Sequence, residues 1–306
     1  MSVITLEGLP NTVQKPIRRV RESLYVEPIS SCNLACKMCY TNVINGPDRR
    51  IVDQATVLDF TRRFVDATPA QVWLYWCGTG EVFLHREFPA MVNTLLAEYS
   101  EERLTQTIQT NGTVRRLREF TSLERLDFCV SIDGSKEFHE WHRGKNTYDR
   151  TIGFCREAFD SGARSVLVRM LLTQDNIWNL DEFNAELLEK IGPRVRLAIG
   201  APYTNRELKG VRRKAQAIHQ GLIDDNRAIS RAAALEVLAT RYNNRYELDE
   251  DPDAVDNYLS LTTYGVHSCC HGIINLGQPS LPIDDLMTRL TASERSCRNC
   301  SMFPCM

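Results

Sequence analysis

The first two hundred residues alternate between short runs of β-branched and aromatic residues and longer runs with apolar residues at three and four spacing. Six short runs predict strands, at 23–29, 71–76, 103–110, 125–132, 165–172 and 194–200. Four longer runs predict helices, at 52–67, 88–100, 148–162 and 180–192. Two of these helices stop at Gly162 and Gly192. Because parallel strands need helical crossovers, we predict an α/β fold, a partial (β/α)6 TIM-type barrel with its reactive groups where strands end.

The pattern changes after about residue 200. A basic stretch leads to a helical run at 226–242, and the acidic 247–257 is typical of a linker. From His267 onward there are five of the eleven cysteines and little apolar periodicity, so we expect metal or covalent links in place of a core. The predicted units are an N-terminal extension (1–21), the barrel (22–200), a helical connection (201–250) and a small C-terminal domain (251–306).

Composition narrows the classes of protein. With 43% hydrophobic and 25% charged residues and a net charge of −2, the chain has no overall field for nucleic acid or an anionic membrane. No apolar run is long enough for a membrane span, and no compact apolar leader precedes Cys32. We therefore expect a cytoplasmic protein, in which cysteines serve as metal ligands or buried thiols and not as disulfides.

Three cysteines lie close together in "SSCNLACKMCY", with Cys32, Cys36 and Cys39 at C-x3-C-x2-C spacing. A tetrahedral zinc site needs a fourth ligand, and a redox dithiol needs only two cysteines. A [4Fe–4S] cluster is normally held by four, so three would leave one iron open to an outside ligand. The triplet alone fits such a cluster or an incomplete structural metal site.

The next loop supplies context. It reads "CGTGEVFLH" and carries Gly78, Gly80 and Glu81, where glycines permit close backbone approach and a carboxylate suits an amino group. The two loops together resemble the radical SAM superfamily. The resemblance implies a [4Fe–4S] cluster with an open iron site, chelated by S-adenosyl-L-methionine, and a flavodoxin or ferredoxin as electron donor. It also implies that Glu81 binds the methionyl amine and that the cofactor yields a 5′-deoxyadenosyl radical.

Two positions depart from the family pattern. Met38 stands where the family often has an aromatic residue, with Tyr40 just after the third cysteine, and Val82 stands where Pro is usual. We still expect Met38 and Tyr40 beside the cofactor, because a thioether packs well on an adenine face.

Further segments, "QTNGT", "VSIDG", "HEWHRG" and "LLTQDN", resemble those that line the cofactor site in the family. By this likeness Asn111, Ser131, Arg143 and Asn176 are predicted contacts to the ribose or carboxylate. The alternative is that Asn111 only forms a turn with Gly112 and that Asn176 is an ordinary loop residue. The likeness covers about residues 22 to 200.

The C-terminal cysteines resemble the SPASM or twitch extensions of radical SAM enzymes, which hold auxiliary [4Fe–4S] clusters. The number here suffices for one auxiliary cluster, and a four-cysteine zinc knot is the alternative. The predicted ligands are Cys270, Cys297, Cys300 and Cys305, with His267 and His271 as alternates.

Cys269 is then left over. In the family pattern a glycine precedes the first ligand by five positions, which selects Cys270 through Gly265. Cys269 is a candidate hydrogen-atom donor to a substrate radical, as in radical SAM epimerases; the alternative is a buried thiol.

The expected activity is hydrogen abstraction from a small polar substrate, carbohydrate or aminosugar-like, giving epimerisation or dehydrogenation in natural-product biosynthesis such as that of antibiotics. The short stretch before Cys32 favours a small substrate over the alternative, a peptide-modifying maturase; a non-catalytic zinc-binding protein is the second alternative. We expect no nucleic acid or membrane partner. Several residues are predicted to pack or to be solvated and not to react: Cys77, Cys129, Cys155, His85, His139, His142, Trp73 and Trp76.

Overall fold

The computed structural model describes residues 23–37, 39, 50–78, 80–200, 229, 231–246, 248, 259–267 and 275–297, without the side chains of 231–232 and 293–297. Within these residues the strands are β1 Ser23–Val26, β2 Val72–Trp76, β3 Leu104–Thr110, β4 Leu126–Ser131, β5 Ser165–Leu171, β6 Arg196–Gly200, β7 Leu259–Thr262, β8 Gly265–His267 and β9 Asn275–Gly277. The α-helices are α1 Gln54–Ala67, α2 Phe88–Glu98, α3 Lys136–Arg143, α4 Tyr148–Asp160, α5 Leu180–Lys190, α6 Arg231–Tyr242 and α7 Ile283–Cys297.

The strands form one sheet in the order β6-β5-β4-β3-β2-β1-β7-β8-β9. Neighbours from β1 to β6 are parallel and in chain order. α-Helices connect these neighbours along the chain except β3 and β4, between which there are two short 3₁₀ turns. This is the open α/β arrangement of a partial barrel, and the predicted fold class is confirmed. In a parallel sheet the carboxyl ends of the strands meet at one edge, which we call the carboxyl edge; the other is the amino edge.

Strands β2, β4 and β5 bury one face more than the other. In β4 and β5 buried and half-buried residues alternate strictly, because successive side chains point to opposite faces. The buried face of β4 presents Leu126, Phe128 and Val130 to the core. The helices complete that core with residues such as Phe154 of α4, which meets Phe128 edge to face. The other face carries half-buried side chains of both kinds, with Ser131 and Arg169 beside Leu167 and Leu171.

Local signals explain the ends of the helices. Asp53 caps α1 by accepting a hydrogen bond from Thr56 N (2.9 Å), and Ser135 caps α3. After α4, Gly162 adopts a φ of +92°, a left-handed conformation that ends the helix. Gly192 does the same after α5, with a φ of +123°.

The C-terminal region joins the sheet. β7 runs parallel to β1, and β8 and β9 follow as antiparallel strands. The prediction of little apolar periodicity after His267 is wrong, because Ile283, Leu286 and Leu290 repeat at three and four spacing and are buried along α7. The boundary at residue 250 stays a prediction.

No helix in the described part of the chain is both long and apolar enough for a membrane span.

Candidate active site

The cysteine loop, residues 30 to 39, follows β1 at the carboxyl edge. Cys32, Cys36 and Cys39 are half-buried within it and form no disulfide. Backbone hydrogen bonds shape the loop: Leu34 N donates to Cys32 Sγ (3.4 Å) and Cys39 N donates to Cys36 O (3.0 Å). The sequence therefore places three thiols in one short loop.

The surroundings disfavour bare thiolates. Burial raises the pKa of Cys32, and it raises the pKa of Cys36 to about 11 even though Arg143 acts to lower it. Thiolates held in such a place need a cation to bind. Among the described residues no three His, Cys, Asp or Glu side chains converge on a single metal ion. A cubane cluster does not need that, because each thiolate binds a different iron, so the loop fits such a cluster.

The glycine loop, residues 77 to 81, packs directly on the cysteine loop. Glu81 N donates to Ser31 O at 2.9 Å. A Cβ on Gly80 would overlap the carbonyl oxygen of Ile29 and lie 2.7 Å from that of Ser31. Gly78 has a φ of +124° and lies against the side chain of Glu27. Only glycine permits this approach, so the two loops form one unit.

Glu81 is buried, and protein donors engage its carboxylate. Oε1 accepts hydrogen bonds from Thr110 Oγ1 (2.7 Å) and Phe83 N (3.3 Å), and Oε2 accepts one from Asn111 N (2.8 Å). Burial raises the pKa of Glu81, and these donors oppose the rise. Glu81 thus ties the glycine loop to the end of β3, whereas a bond to the methionyl amine stays a prediction.

Asn111 connects the same loops to the cysteines. Its Nδ2 lies 3.7 Å from Cys32 Sγ and donates to Asn33 Oδ1 (3.0 Å). Its Oδ1 accepts hydrogen bonds from Thr113 N (2.9 Å) and Thr113 Oγ1 (2.6 Å). The residue is more than the turn former of the alternative interpretation, because its amide is aimed at a candidate cluster ligand.

Beyond β4, a buried ion pair joins the site. Asp133 Oδ2 accepts a hydrogen bond from Arg143 Nε (2.5 Å) and lies 2.8 Å from His142 Nδ1. Burial would raise the pKa of Asp133, but Arg143 and His142 outweigh it and hold that pKa well below its usual range. Ser131 is the last residue of β4, half-buried, and pairs in register with Arg169.

Asn176 holds the loop after β5. Its Nδ2 donates to Asp133 O (3.0 Å) and Leu171 O (2.8 Å), and its Oδ1 accepts from Thr173 N (2.8 Å). These contacts favour a supporting function, and direct contact with a cofactor stays a prediction.

Several predicted residues fall elsewhere. Met38, Tyr40, Cys269, Cys270, His271, Cys300 and Cys305 lie outside the described residues, as does the side chain of Cys297. His267 is buried in β8. Cys77, Cys155 and Trp76 are buried, as expected for packing residues, whereas Cys129 and Trp73 are half-buried. The expectation that His85, His139 and His142 are solvated is wrong, because all three side chains are buried.

Sequence reasoning missed Asp133 and the contacts of α3. Lys37 N donates to His142 O (2.9 Å), and Lys37 Nζ lies 3.8 Å from the ring centroid of Trp141. The sequence does show an aspartate, Asp133, directly after a strand pattern, and His142 and Arg143 at the end of the segment that follows. What the pattern lacked was the direction of that helix, which brings its C-terminal end to the cysteine loop.

The fold and the site define a class of protein: a partial (β/α) barrel with a three-cysteine loop and a glycine loop joined at its carboxyl edge. The model of the radical SAM superfamily matches residues 26–187, which is more than half of the chain. The chain therefore belongs to the radical SAM superfamily, whose members use a [4Fe–4S] cluster and S-adenosylmethionine.

Solved structures agree with the fold. The chain is similar to anSMEcpe with bound AdoMet, with a TM-score of 0.62 at 17% identity over 88% of this chain and 82% of that one. Another similar structure is anSMEcpe with AdoMet and the Cp18Cys peptide (TM-score 0.59, 16% identity, 88% and 81%). Streptococcus suis SuiB bound to the precursor peptide SuiA is also similar (TM-score 0.58, 14% identity, 87% and 64%). A search among curated proteins gave no match.

Proposed function

We propose that this radical SAM enzyme abstracts a hydrogen atom from a small polar substrate, of carbohydrate or aminosugar type, and epimerises or dehydrogenates it. The observation that carries the proposal is the direct packing of the glycine loop on the three-cysteine loop. When bound, the cluster and S-adenosylmethionine together supply an electron and a 5′-deoxyadenosyl radical.

In this proposal the residues of the carboxyl edge hold and orient those groups. Cys32, Cys36 and Cys39 are the cluster ligands, and Asn111 aims an amide N–H at Cys32. Gly78 and Gly80, which have no side chains, let the methionyl group approach the backbone. Glu81 fixes the glycine loop or accepts a hydrogen bond from the methionyl amine. The remaining cofactor contacts are assigned to Met38, Tyr40, Ser131, Arg143 and Asn176.

The face of the sheet opposite the apolar core supports a polar substrate. Its half-buried positions toward the carboxyl edge include Thr107 and Gln109 in β3, Ser131 in β4 and Arg169 in β5. Hydroxyl, amide and guanidinium groups match the hydroxyl and amino groups of a sugar, since each can donate or accept hydrogen bonds in a fixed direction.

We also propose functions for the C-terminal cysteines. Cys270, Cys297, Cys300 and Cys305 would hold one auxiliary [4Fe–4S] cluster, and Cys269 would be a hydrogen-atom donor. An electron taken up by the auxiliary cluster leads to a dehydrogenated product, whereas a hydrogen atom from Cys269 leads to an epimer.

A second candidate, a peptide-modifying maturase, is favoured by two of the similar structures. anSMEcpe and SuiB are each described with a bound peptide, and both share the fold of this chain at TM-scores of 0.59 and 0.58. At 14 to 16% identity this likeness concerns the fold alone. The half-buried polar side chains of the sheet support the small substrate.

The test is anaerobic reconstitution followed by reaction with reductant, S-adenosylmethionine and either an aminosugar panel or peptides, in deuterium oxide. We expect 5′-deoxyadenosine to increase with an aminosugar and not with peptides. Deuterium at a product carbon indicates epimerisation, and a product two hydrogens lighter indicates dehydrogenation. A response to peptides alone would contradict the small-substrate assignment.

Cys269→Ala tests the hydrogen donor. We expect this variant to form 5′-deoxyadenosine but no epimer. Cys155→Ala is the matched control, because it removes a thiol buried in α4 away from the carboxyl edge. A Cys269→Ala enzyme that still epimerises would remove that residue from the mechanism.

A further inference from the structure

Four nitrogen atoms surround the carboxylate of Asp133, which is fully buried just beyond β4. Oδ2 lies 2.5 Å from Arg143 Nε and 2.8 Å from His142 Nδ1. Oδ1 lies 3.3 Å from Arg143 Nη2 and accepts a hydrogen bond from Leu171 N at 3.1 Å. The two oxygens therefore each face two nitrogens, and Arg143 is held by both.

The guanidinium so held lies beside two candidate cluster ligands. Lys37 N, bonded to Cys36, lies 2.9 Å from His142 O, the carbonyl that precedes Arg143, and Cys39 N lies 3.0 Å from Cys36 O. In keeping with this closeness, the charge of Arg143 acts to lower the pKa of Cys36, which burial raises. The same end of α3 is fixed to the cysteine loop through Lys37, by the backbone hydrogen bond to His142 O and by the contact with Trp141. Arg143 thus has a fixed place next to the ligands as well as a fixed partner.

Charge next to an iron–sulfur cluster sets its reduction potential, together with hydrogen bonds and solvent exposure. A cubane with thiolate ligands is net negative, and reduction adds one more electron. A nearby positive charge therefore stabilises the reduced form more than the oxidised form and raises the potential.

We propose that Asp133 is a positioning residue that holds the guanidinium of Arg143 beside Cys36 and Cys39 and thereby raises the reduction potential of the cluster. This rests on the proposed function, since it needs the cluster on the cysteine loop. It assigns to Asp133 and Arg143 an effect on the cluster itself, separate from any contact of Arg143 with the cofactor.

The variant Asp133→Asn distinguishes an effect of the position of Arg143 from an effect of the lost carboxylate charge. The carboxamide of asparagine has an NH2 group in place of one carboxylate oxygen. In either orientation this NH2 group would face two of the four surrounding nitrogens and could not accept hydrogen bonds from them, so the guanidinium has to move. Loss of a negative charge alone would raise the potential of a nearby cluster. Displacement of Arg143 lowers it, so the sign of the change identifies the cause.

The measurement is a redox titration followed by electron paramagnetic resonance. The signal of the cluster on the cysteine loop is identified as the one that changes when S-adenosylmethionine is added. Its midpoint potential is then measured without S-adenosylmethionine, so that contact of Arg143 with the cofactor has no influence. Because the lost charge of Asp133 offsets part of the effect, we expect Asp133→Asn to reduce the ratio of reduced to oxidised cluster at a fixed potential by less than the roughly tenfold change of a unit charge alone. A tenfold change corresponds to about 59 mV. A raised or unchanged midpoint would overturn the proposal.

Asp127→Asn is the matched control. Asp127 lies in β4, paired with Arg164 at the amino edge, six residues before Asp133 and about 20 Å away at the rise of an extended chain. The substitution makes the same change in charge, and we expect the midpoint to stay at the wild-type value. A shift equal to that of Asp133→Asn would show a non-specific effect and would overturn the proposal.

Two substitutions of Arg143 decide the matter if Asp133→Asn fails to fold. Arg143→Gln should lower the midpoint as Asp133→Asn does, and Arg143→Lys, which keeps the charge, should lie closer to wild type. An unchanged midpoint in Arg143→Gln overturns the inference and leaves the proposed function intact. A chain without any cluster that responds to S-adenosylmethionine overturns the proposed function as well.

Discussion

The two ends of β4 carry the same pair of residue types in different settings. At the amino edge, Asp127 pairs with Arg164, and their side chains are 20% and 26% exposed. At the carboxyl edge, Asp133 pairs with Arg143, and Asp133 is fully buried. A pair at the rim has water to solvate it, whereas a buried pair costs desolvation that only close contacts offset.

The same contrast holds along the whole sheet. The amino edge has long side chains that bind backbone carbonyls or each other near water, such as Gln71 to Glu101 O and Arg103 to Val65 O. The carboxyl edge buries short polar side chains in closed networks, such as Thr110, Glu81 and Asn111. Polar groups at the amino edge therefore stabilise the fold, whereas we propose that those at the carboxyl edge also position a ligand.

The largest effect is expected for the cluster ligands. Cys36→Ala should lower the formation of 5′-deoxyadenosine by at least about a hundredfold, since loss of mere supporting groups at metal sites costs 10 to 100-fold. Iron content and product formation, compared with Cys155→Ala, check this. Wild-type product formation by Cys36→Ala would contradict the assignment of the loop.

The next effect is expected at the junction of the two loops. Gly80→Ala should destabilise the protein by about 1 to 3 kcal/mol and weaken S-adenosylmethionine binding at least tenfold, because the new Cβ meets backbone oxygens that cannot move independently. Thermal unfolding and equilibrium binding measure both quantities.

Gly153→Ala is the matched control for Gly80. Gly153 lies inside α4, where the new Cβ would meet only the end of the Arg115 side chain, which can move aside. We expect it to leave binding unchanged and to alter stability by about 1 kcal/mol or less, in the stabilising direction. Equal loss of binding in the two variants would contradict a specific function of the glycine loop.

A smaller effect concerns pH at the carboxyl edge. Burial lowers the pKa of His139 to about 3, in a setting formed by Asp133, His142, Arg143 and the ring of Tyr148. Because this value lies below the 6.5 of unfolded histidine, the stabilisation by the neutral ring is complete above pH 6.5 and is lost as the pH falls towards 3.

At pH 5 the loss should be about 2 kcal/mol of unfolding free energy, and His139→Phe should lack that part of the pH dependence. Urea unfolding under reducing conditions at pH 7 and pH 5 measures it. Identical pH dependence in the variant and the wild type would show that His139 does not stay neutral in the fold.

The smallest effect is expected at the amino edge. Glu101, half-exposed, forms an ion pair with Arg164. Glu101→Gln should change the unfolding free energy by less than about 1 kcal/mol and leave 5′-deoxyadenosine formation unchanged. A large loss of activity would contradict the division between the two edges.

The local pattern of apolar and polar residues was sufficient to predict most strands and helices of the barrel. The six parallel strands and the helices α1, α2, α4 and α5 lie within the predicted ranges, because burial on one face imposes a period that the sequence displays. Predicted ends extend up to three residues too far, as for 23–29 against Ser23–Val26, where Pro28 is a local signal that the prediction did not use.

Contacts between distant segments could not be predicted in the same way. The pairing of β7 with β1 joins residues more than two hundred positions apart, and β7 has only four residues. Asp133 shows the same limit within the site, because its partners depend on where α3 ends in space. The three cysteines and the glycines needed no such knowledge, since their spacing along the chain carried the signal.

The central claim is that the three thiols at the carboxyl edge hold a cubane whose uncovered iron receives S-adenosylmethionine. Anaerobically reconstituted protein, assayed for iron, sulfide and 5′-deoxyadenosine under strong reductant, tests it most directly. We predict that the cofactor is cleaved, and that cleavage disappears when Cys32, Cys36 or Cys39 is replaced. Protein with its full content of iron and sulfide that leaves S-adenosylmethionine intact would contradict it.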